Sequence, residues 1–214
     1  MLQNINTQEN TTLSGSKNLL QKCFSKNTKN TITLLANTNF HYLLLAENSE
    51  STITFETKGE NIQGNIYAIY FGSKPVKSDI QVNILSSNSN INVFMLSLLI
   101  SDQEFNTNGN IYLGKDINNS QGHLLQKNLI LGEKIKVSSI PRLDVYSNDI
   151  KASHGFSIDR LNKDKIFYLN SKGLSESASK ELIVHGNLRE ILDKFVDLQE
   201  EQKKEIEKLI LLKL

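Results

Sequence analysis

The amino-acid sequence predicts a mainly β chain that ends in a small helical segment. Three observations carry that expectation. Short runs rich in Ile, Val, Thr, Tyr and Phe, which pack well on a pleated surface, recur about every ten residues from Thr31 onward. Several of them alternate with polar neighbours as half-buried strands do: Ile53 and Phe55; Ile80, Val82 and Ile84; Leu143 and Val145. No helical period interrupts about 120 residues of this pattern, which argues against an alternating βαβ sheet. Two such runs span about twenty residues, a spacing that suits a sandwich and equally a coiled β-solenoid with two strands per turn. Periodicity alone leaves both open.

Residues 1–29 are rich in Asn, Thr, Ser, Gln and Lys, broken only by Leu19, Leu20, Cys23 and Phe24, and are expected to form a polar, frayed N-terminal arm. The β core is expected over residues 30–157. Its runs are Thr31–Ala36, Phe40–Ala46, Thr52–Thr57, Asn65–Phe71, Ile80–Leu85, Ile91–Ile100, Asn110–Leu113, Leu124–Leu131, Lys136–Ile140, Arg142–Tyr146 and Ile150–Ser153. Gly64-Asn65 and Asn108-Gly109 are expected in the breaks, supplying positive φ. Residues 158–214 form the expected helical region. Asp159 or Asn162 would cap a short helix through Asn170, stopped by Gly173. Ser175 would cap a second helix that ends near His185 at Gly186. Asn187 with Glu190 three residues on resembles a capping box for a third. That last helix carries Leu188, Ile191, Leu192, Phe195 and Leu198 at helical spacing, a stripe that fits core packing or a partner-docking face.

Composition narrows the function. The chain has 214 residues, and its 24 Lys and Arg nearly cancel 23 Asp and Glu. No bulk field therefore points to nucleic acid or a membrane surface. The single cysteine, Cys23, allows no internal disulfide and fits a reducing compartment. Met1 to Asn10 holds no apolar run behind a basic head, so no secretory signal is expected. The longest apolar stretch, Val93–Ile100, is interrupted by Ser97 and falls short of the roughly 20 residues that span a bilayer. The abundance of Asn reads most simply as coding bias.

Among candidate chemical groups, His41, His123, His154 and His185 show no metal-ligand spacing of the HExxH kind. His41 reads as a satisfied strand histidine, His123 as a residue near a turn, and His185 as a cation suited to a helix end. Asp149, Ser153 and His154 do not form a triad. There is no Gly-x-Ser-x-Gly elbow, and neighbouring strand residues point to opposite faces. No P-loop and no Gly-x-Gly-x-x-Gly occurs, and the carboxylates are scattered. The residues by themselves give a β-rich domain with a helical tail.

One segment is distinctive. It runs Ile140-Pro141-Arg142-Leu143-Asp144-Val145-Tyr146, then Asn148-Asp149-Ile150-Lys151-Ala152-Ser153-His154-Gly155. After Leu161 comes Ile166-Phe167-Tyr168-Leu169-Asn170-Ser171-Lys172-Gly173-Leu174. This resembles the C-terminal signature of the SufB/SufD family, in which P-x-L-E-I-x-x-D-D-V-K-C-S-H-G leads into L-F-Y-L-x-S-R-G. Ile111-Tyr112-Leu113 and Gln126-Lys127-Asn128-Leu129-Ile130-Leu131 are similar to upstream strands of that family. Ser-His-Gly and Phe-Tyr-Leu are closer to the SufD branch. The SufB branch has a Glu-His-Glu type sequence there, with the cysteine and glutamate thought to hold the cluster. Ala152 stands where the family often has Cys.

The resemblance implies a right-handed parallel β-helix, followed by the helices and shortened on its N-terminal side. It implies a non-catalytic cytoplasmic scaffold for iron–sulfur cluster assembly. A SufB-like scaffold would pair with the solenoid end, and a SufC-like ABC ATPase would dock on the helices and hydrolyse ATP. Neither nucleic acid nor a membrane is an expected partner. The seam with the sister scaffold would lie at Arg142, Leu143, Asp144, Val145, Tyr146 and Ile150. Leu188, Ile191, Leu192 and Phe195 would sit beside the ATPase. His154 matches the SufD histidine that faces the SufB cysteine, so it is the expected iron or cluster ligand, with Lys151 and Ser153 lining the site. The cluster would be transient, at the interface, and not held by this chain alone. Two other readings compete: a stand-alone β-solenoid carbohydrate enzyme, which would need a carboxylate cluster, and a SufB-like homodimeric scaffold.

Overall fold

In a strand, alternate side chains face opposite ways. A chain whose apolar residues fall on every second position can therefore stack strand on strand around one enclosed core. The computed structural model describes residues 2–5, 10–24, 27–100, 104–161, 163–195 and 198–213. Among these, one sheet (sheet A) contains β1 (Leu2–Ile5), β3 (Ser16–Phe24), β5 (Asn39–Glu47), β7 (Gln63–Phe71), β9 (Asn90–Leu99), β11 (Asn118–Ile130) and β14 (Asp149–Arg160), in that order. The other (sheet B) contains β2 (Thr11–Leu13), β4 (Thr28–Leu34), β6 (Glu50–Thr57), β8 (Val76–Ile84) and β10 (Glu104–Leu113). Beyond β10 lie β12 (Lys136–Ser138) and β13 (Pro141–Val145), both paired to it. The chain alternates between the sheets, and each strand pairs in parallel with the strand one turn earlier. The result is a parallel β-solenoid with two strands per turn. It selects the solenoid over the sandwich.

Register turns the alternation into columns. Facing inward, Leu19, Tyr42, Ile66 and Val93 stack on Leu124 in sheet A. Ile32, Phe55, Val82 and Ile111 stack in sheet B. These side chains are buried and meet in one core. Two groups of buried polar side chains inside it are paired: Tyr42 Oη donates to Gln21 Oε1 at 2.6 Å, and Ser51 and Ser78 hydroxyls lie 2.6 Å apart. Pairing of this kind removes the cost of burying them.

The expected frayed arm over residues 1–29 is corrected. Leu2–Ile5, Thr11–Leu13 and Ser16–Phe24 are strands, and Thr28 opens β4. The polar residues there alternate with Leu13, Leu19 and Cys23, which enter the core, and ladder pairing with β4 and β5 satisfies the backbone. The glycine pairs are also corrected. Gly64 and Gly109 lie inside β7 and β10, not at breaks. A Cβ on Gly64 would fall 2.1 Å from Phe40 Cε1, so close packing needs that glycine. Positive φ is supplied instead by Asn37, Asn48, Asn61, Asn88 and Asn119, and by Asp116. Asn tolerates this region better than other side chains. Asn61 also donates to Asn37 at 3.2 Å and Asn119 to Asn88 at 2.9 Å. Some of the Asn abundance therefore has a structural cause.

Three helices follow: α1 (Lys163–Ser171), α2 (Glu176–Leu192) and α3 (Glu200–Leu211). Ser175 caps α2, its hydroxyl accepting from Ala178 N at 3.2 Å. Gly173 stops the preceding segment at φ 94°. Asp159 lies in β14 and caps nothing, and the Asn162 alternative falls outside the described residues. The expected break at Gly186 is absent. α2 runs through it and through His185, because one glycine costs a helix only about 1 kcal/mol. Asn187 is therefore not a cap; its amide donates to Ile183 O. His185 lies mid-helix, its Nε2 3.3 Å from Glu207 Oε1 on α3.

The apolar stripe is also resolved. Leu188, Ile191, Leu192 and Phe195 are buried against the outer face of sheet A, on Leu43, Leu45, Tyr67, Ile69 and Leu96. They are not an open partner surface, which corrects their assignment beside an ATPase. Polar clamps hold the edges. Lys127 Nζ meets Glu190 Oε2 at 2.7 Å, and Arg189 joins Glu200 at 2.9 Å and Glu207. Lys127 first, then Lys194, holds the Glu190 carboxyl below its usual range.

Leu188→Ala should lower the unfolding free energy by about 2–5 kcal/mol, because it empties a buried site. Urea denaturation measures this, and a loss below about 0.5 kcal/mol, the surface range, would mean the helices do not pack as described.

Candidate functional site

A stack of strands must end, and this one ends at β13 and β14. β13 pairs with β10, Ile111 beside Leu143 and Leu113 beside Val145. β14 pairs with β11 along Ser120 to Ile130. Among the described residues no strand pairs the far edge of either one. The last turn is thus a long bare edge, with unpaired backbone groups on one side.

The inward columns surface here. The sheet A column that runs through Leu19 and Tyr42 continues from Leu124 to His154. An imidazole therefore occupies the terminal slot of a stack whose buried members are Leu19, Tyr42, Ile66, Val93 and Leu124. Its neighbours at inward register are Ala152 and Phe156, and its Nδ1 lies 3.2 Å from the carbonyl oxygen of Pro141 across the core mouth. Phe156 is 43 % exposed and Ile158 is 49 % exposed, although both continue columns that are buried one turn earlier. Ile140, Val145 and Tyr146 are exposed beside them, with the Tyr146 ring 5.2 Å from that of Tyr112. Leu143 and Ile150 pack partly on the core. Arg142 and Asp144 are exposed on the outer side of β13, where Asp144 Oδ2 accepts from Asn110 at 3.3 Å.

The expected lining residues do not share one face. Alternation along β14 puts Lys151 and Ser153 on the outer face of sheet A and His154 on the inner one. Ser153 Oγ instead lies 2.8 Å from His123 Nδ1. His123 was a missed residue: it sits in a strand, not near a turn, and only the register with β14 reveals the pair. All three predicted residues remain on the edge strand. No three His, Cys, Asp or Glu side chains converge among the described residues. Cys23 cannot serve. Its column passes through Ala46, Tyr70, Ser97 and Asn128 before reaching Ile158, and burial pushes its thiol pKa up.

A second surface lies on α1. That helix buries none of its residues, and Phe167 is 75 % exposed with Tyr168 beside it at 60 %. A cleft of about 430 Å³ opens between it and the end of β11, lined by Leu131, Arg160, Phe167 and Lys180. Leu182 on α2 is exposed as well.

Comparison with known proteins gives one family. The model described as "SUF system FeS cluster assembly, SufBD core domain" matches residues 20–187. The iron–sulfur cluster assembly protein SufD of Escherichia coli K12 is 29 % identical over 90 residues, 42 % of this chain and 21 % of that protein. An iron–sulfur cluster assembly SufBD family protein of Synechocystis is 36 % identical over 69 residues, 32 % of this chain and 15 % of its own length. The assembly protein SufB of Bacillus subtilis is 24 % identical over 131 residues, 60 % of this chain and 28 % of that one. The matched stretches thus cover less than a third of each of these relatives.

Ile158→Lys, at the mouth of the stack, should change the stability of the isolated chain by no more than about 0.5 kcal/mol, as at other exposed sites. Urea denaturation checks it; a loss of about 2 kcal/mol or more, the range of a buried position, would mean that the end is closed.

Proposed function

Because the chain belongs to the SufBD core family of the SUF iron–sulfur cluster assembly system, we propose that it is a SufD-like scaffold subunit that works in complex with a SufB-like scaffold and a SufC-like ABC ATPase. The observation that carries this reading is the bare edge of β13 and β14, with His154 at the end of its column. A sister solenoid would complete that edge by adding its own strands, as strand addition does elsewhere. It would also cover Val145, Phe156 and Ile158, whose exposure is otherwise unfavourable.

At the joint, His154 supplies an imidazole to iron or to a nascent cluster, which is cargo passing through and not a resident group. Imidazole suits iron, and the partner scaffold provides the sulfur ligands that this chain lacks there. Lys151 and Ser153 lie on the other face of the same edge, where they contact the partner and not the cluster. ATP hydrolysis belongs to the ATPase. Its docking face on this chain is α1 with Leu182, where Phe167 and Tyr168 stand free, and not the buried stripe of Leu188 to Phe195. Among the described residues no helix is long and apolar enough to cross a membrane. The complex acts in the cytoplasm in this reading.

The test is co-expression with the SufB-like and SufC-like proteins of the same genome. The three should purify together. Ile158→Lys should lower recovery of the SufB-like partner at least about tenfold, since it buries an unpaired charge in the seam. His154→Ala should keep the complex and abolish cluster build-up, followed by its visible absorbance. Normal cluster yield from the His154→Ala complex would remove the ligand role, and unchanged recovery with Ile158→Lys would remove the seam.

A further inference from the structure

We propose that the main-chain carbonyl of Pro141 is a positioning group that holds His154 in the Nδ1–H tautomer, so that Nε2 is the nitrogen presented to the seam. The assignment of iron as what Nε2 meets rests on the function proposed above; the tautomer does not.

A carbonyl oxygen only accepts, so the nitrogen 3.2 Å from it must carry the proton. In neutral imidazole this leaves Nε2 bare, as an acceptor or a metal ligand. The fold makes the arrangement one-sided. His154 is in the inward register of β14, which aims it across the core mouth at the start of β13. The residue met there is Pro141, which has no N–H. The N–H just before it, on Ile140, is already donated to Asn108 Oδ1 at 3.2 Å. The ring therefore meets an acceptor and no competing main-chain donor at either residue. An imidazole that ligates a metal through one nitrogen usually donates the other N–H to a carboxylate or a main-chain carbonyl, which orients the ring and raises its basicity. The Pro141 carbonyl fills that position before any partner arrives. On β11, His123 faces a hydroxyl instead, which can give or accept, so no such fixing applies there.

The test is long-range proton–nitrogen correlation NMR on the full, isotopically labelled chain. It is recorded above the ordinary imidazole pKa of about 6.5, with the His154 signals identified by their loss in His154→Gln. The expected result is a protonated Nδ1 and an unprotonated Nε2. Free histidine favours the opposite tautomer, so a protonated Nε2, or an averaged pair of shifts, would overturn the proposal. The readout needs no cluster and no partner. Should His154→Ala complexes build clusters normally while Nδ1 is found protonated, the functional reading fails and the positioning role stands.

Discussion

The structure depends on one constraint: in a parallel solenoid each strand's backbone is satisfied only by the strands one turn before and one turn after it. Within the stack this is met without interruption. The column through Leu19 keeps register through Tyr42, Ile66, Val93 and Leu124, and the same holds from Ile32 to Leu143 in the opposite sheet. The register shift in the final pairing lies between Asn118 and Ser120, at the start of β11, where Asn119 takes positive φ. The arrangement that makes the interior self-sufficient also guarantees that its last turn is not. Among the described residues, the twelve residues of β14 have a strand partner on one side only, and its inward side chains have no next layer.

The remaining surfaces are divided by the same alternation. Outward residues of sheet A are apolar where α2 and α3 cover them, as at Leu43, Tyr67 and Leu96, and polar where they do not, as at Asn65, Asn92 and His123. Outward residues of sheet B are mostly Thr, Asn, Gln and charged side chains, such as Thr54, Gln81 and Asn110, which suit water, with Tyr112 among them near the edge. The helices therefore serve chiefly as a cover for one sheet. Among the described helices α1 alone has no buried residue, and it leaves Phe167 and Tyr168 exposed.

Much of the fold was legible because period two is a strong signal. Each run from Thr31 to Ser153 overlaps a strand, although six of them extend one or two residues past the strand's end, and the Ser175 cap is seen in the structure. Residues 1–29 were misread because their polar composition hid an alternation of only a few apolar residues, Leu13, Leu19 and Cys23, whose burial is set by strands far along the chain. Gly186 was misread because tertiary packing of Val184 and Leu188 outweighs one weak helix position. At the site, the sequence motif pointed to His154 and to the neighbourhood of the edge. It did not reveal that Ser153 faces His123, or that Pro141 lies opposite the imidazole, since both are consequences of register between residues about 30 and 13 positions apart.

Hydrogen exchange along β14 tests the central claim most directly. Amides of Asp149–Arg160 would be followed in the isolated chain and again with the SufB-like scaffold bound. If a sister strand completes the edge, exchange should slow across β14 and β13 while β4, β6 and β8 stay as they were. Exchange in β14 that is equally slow in the isolated chain, or unchanged when the partner binds, would contradict it.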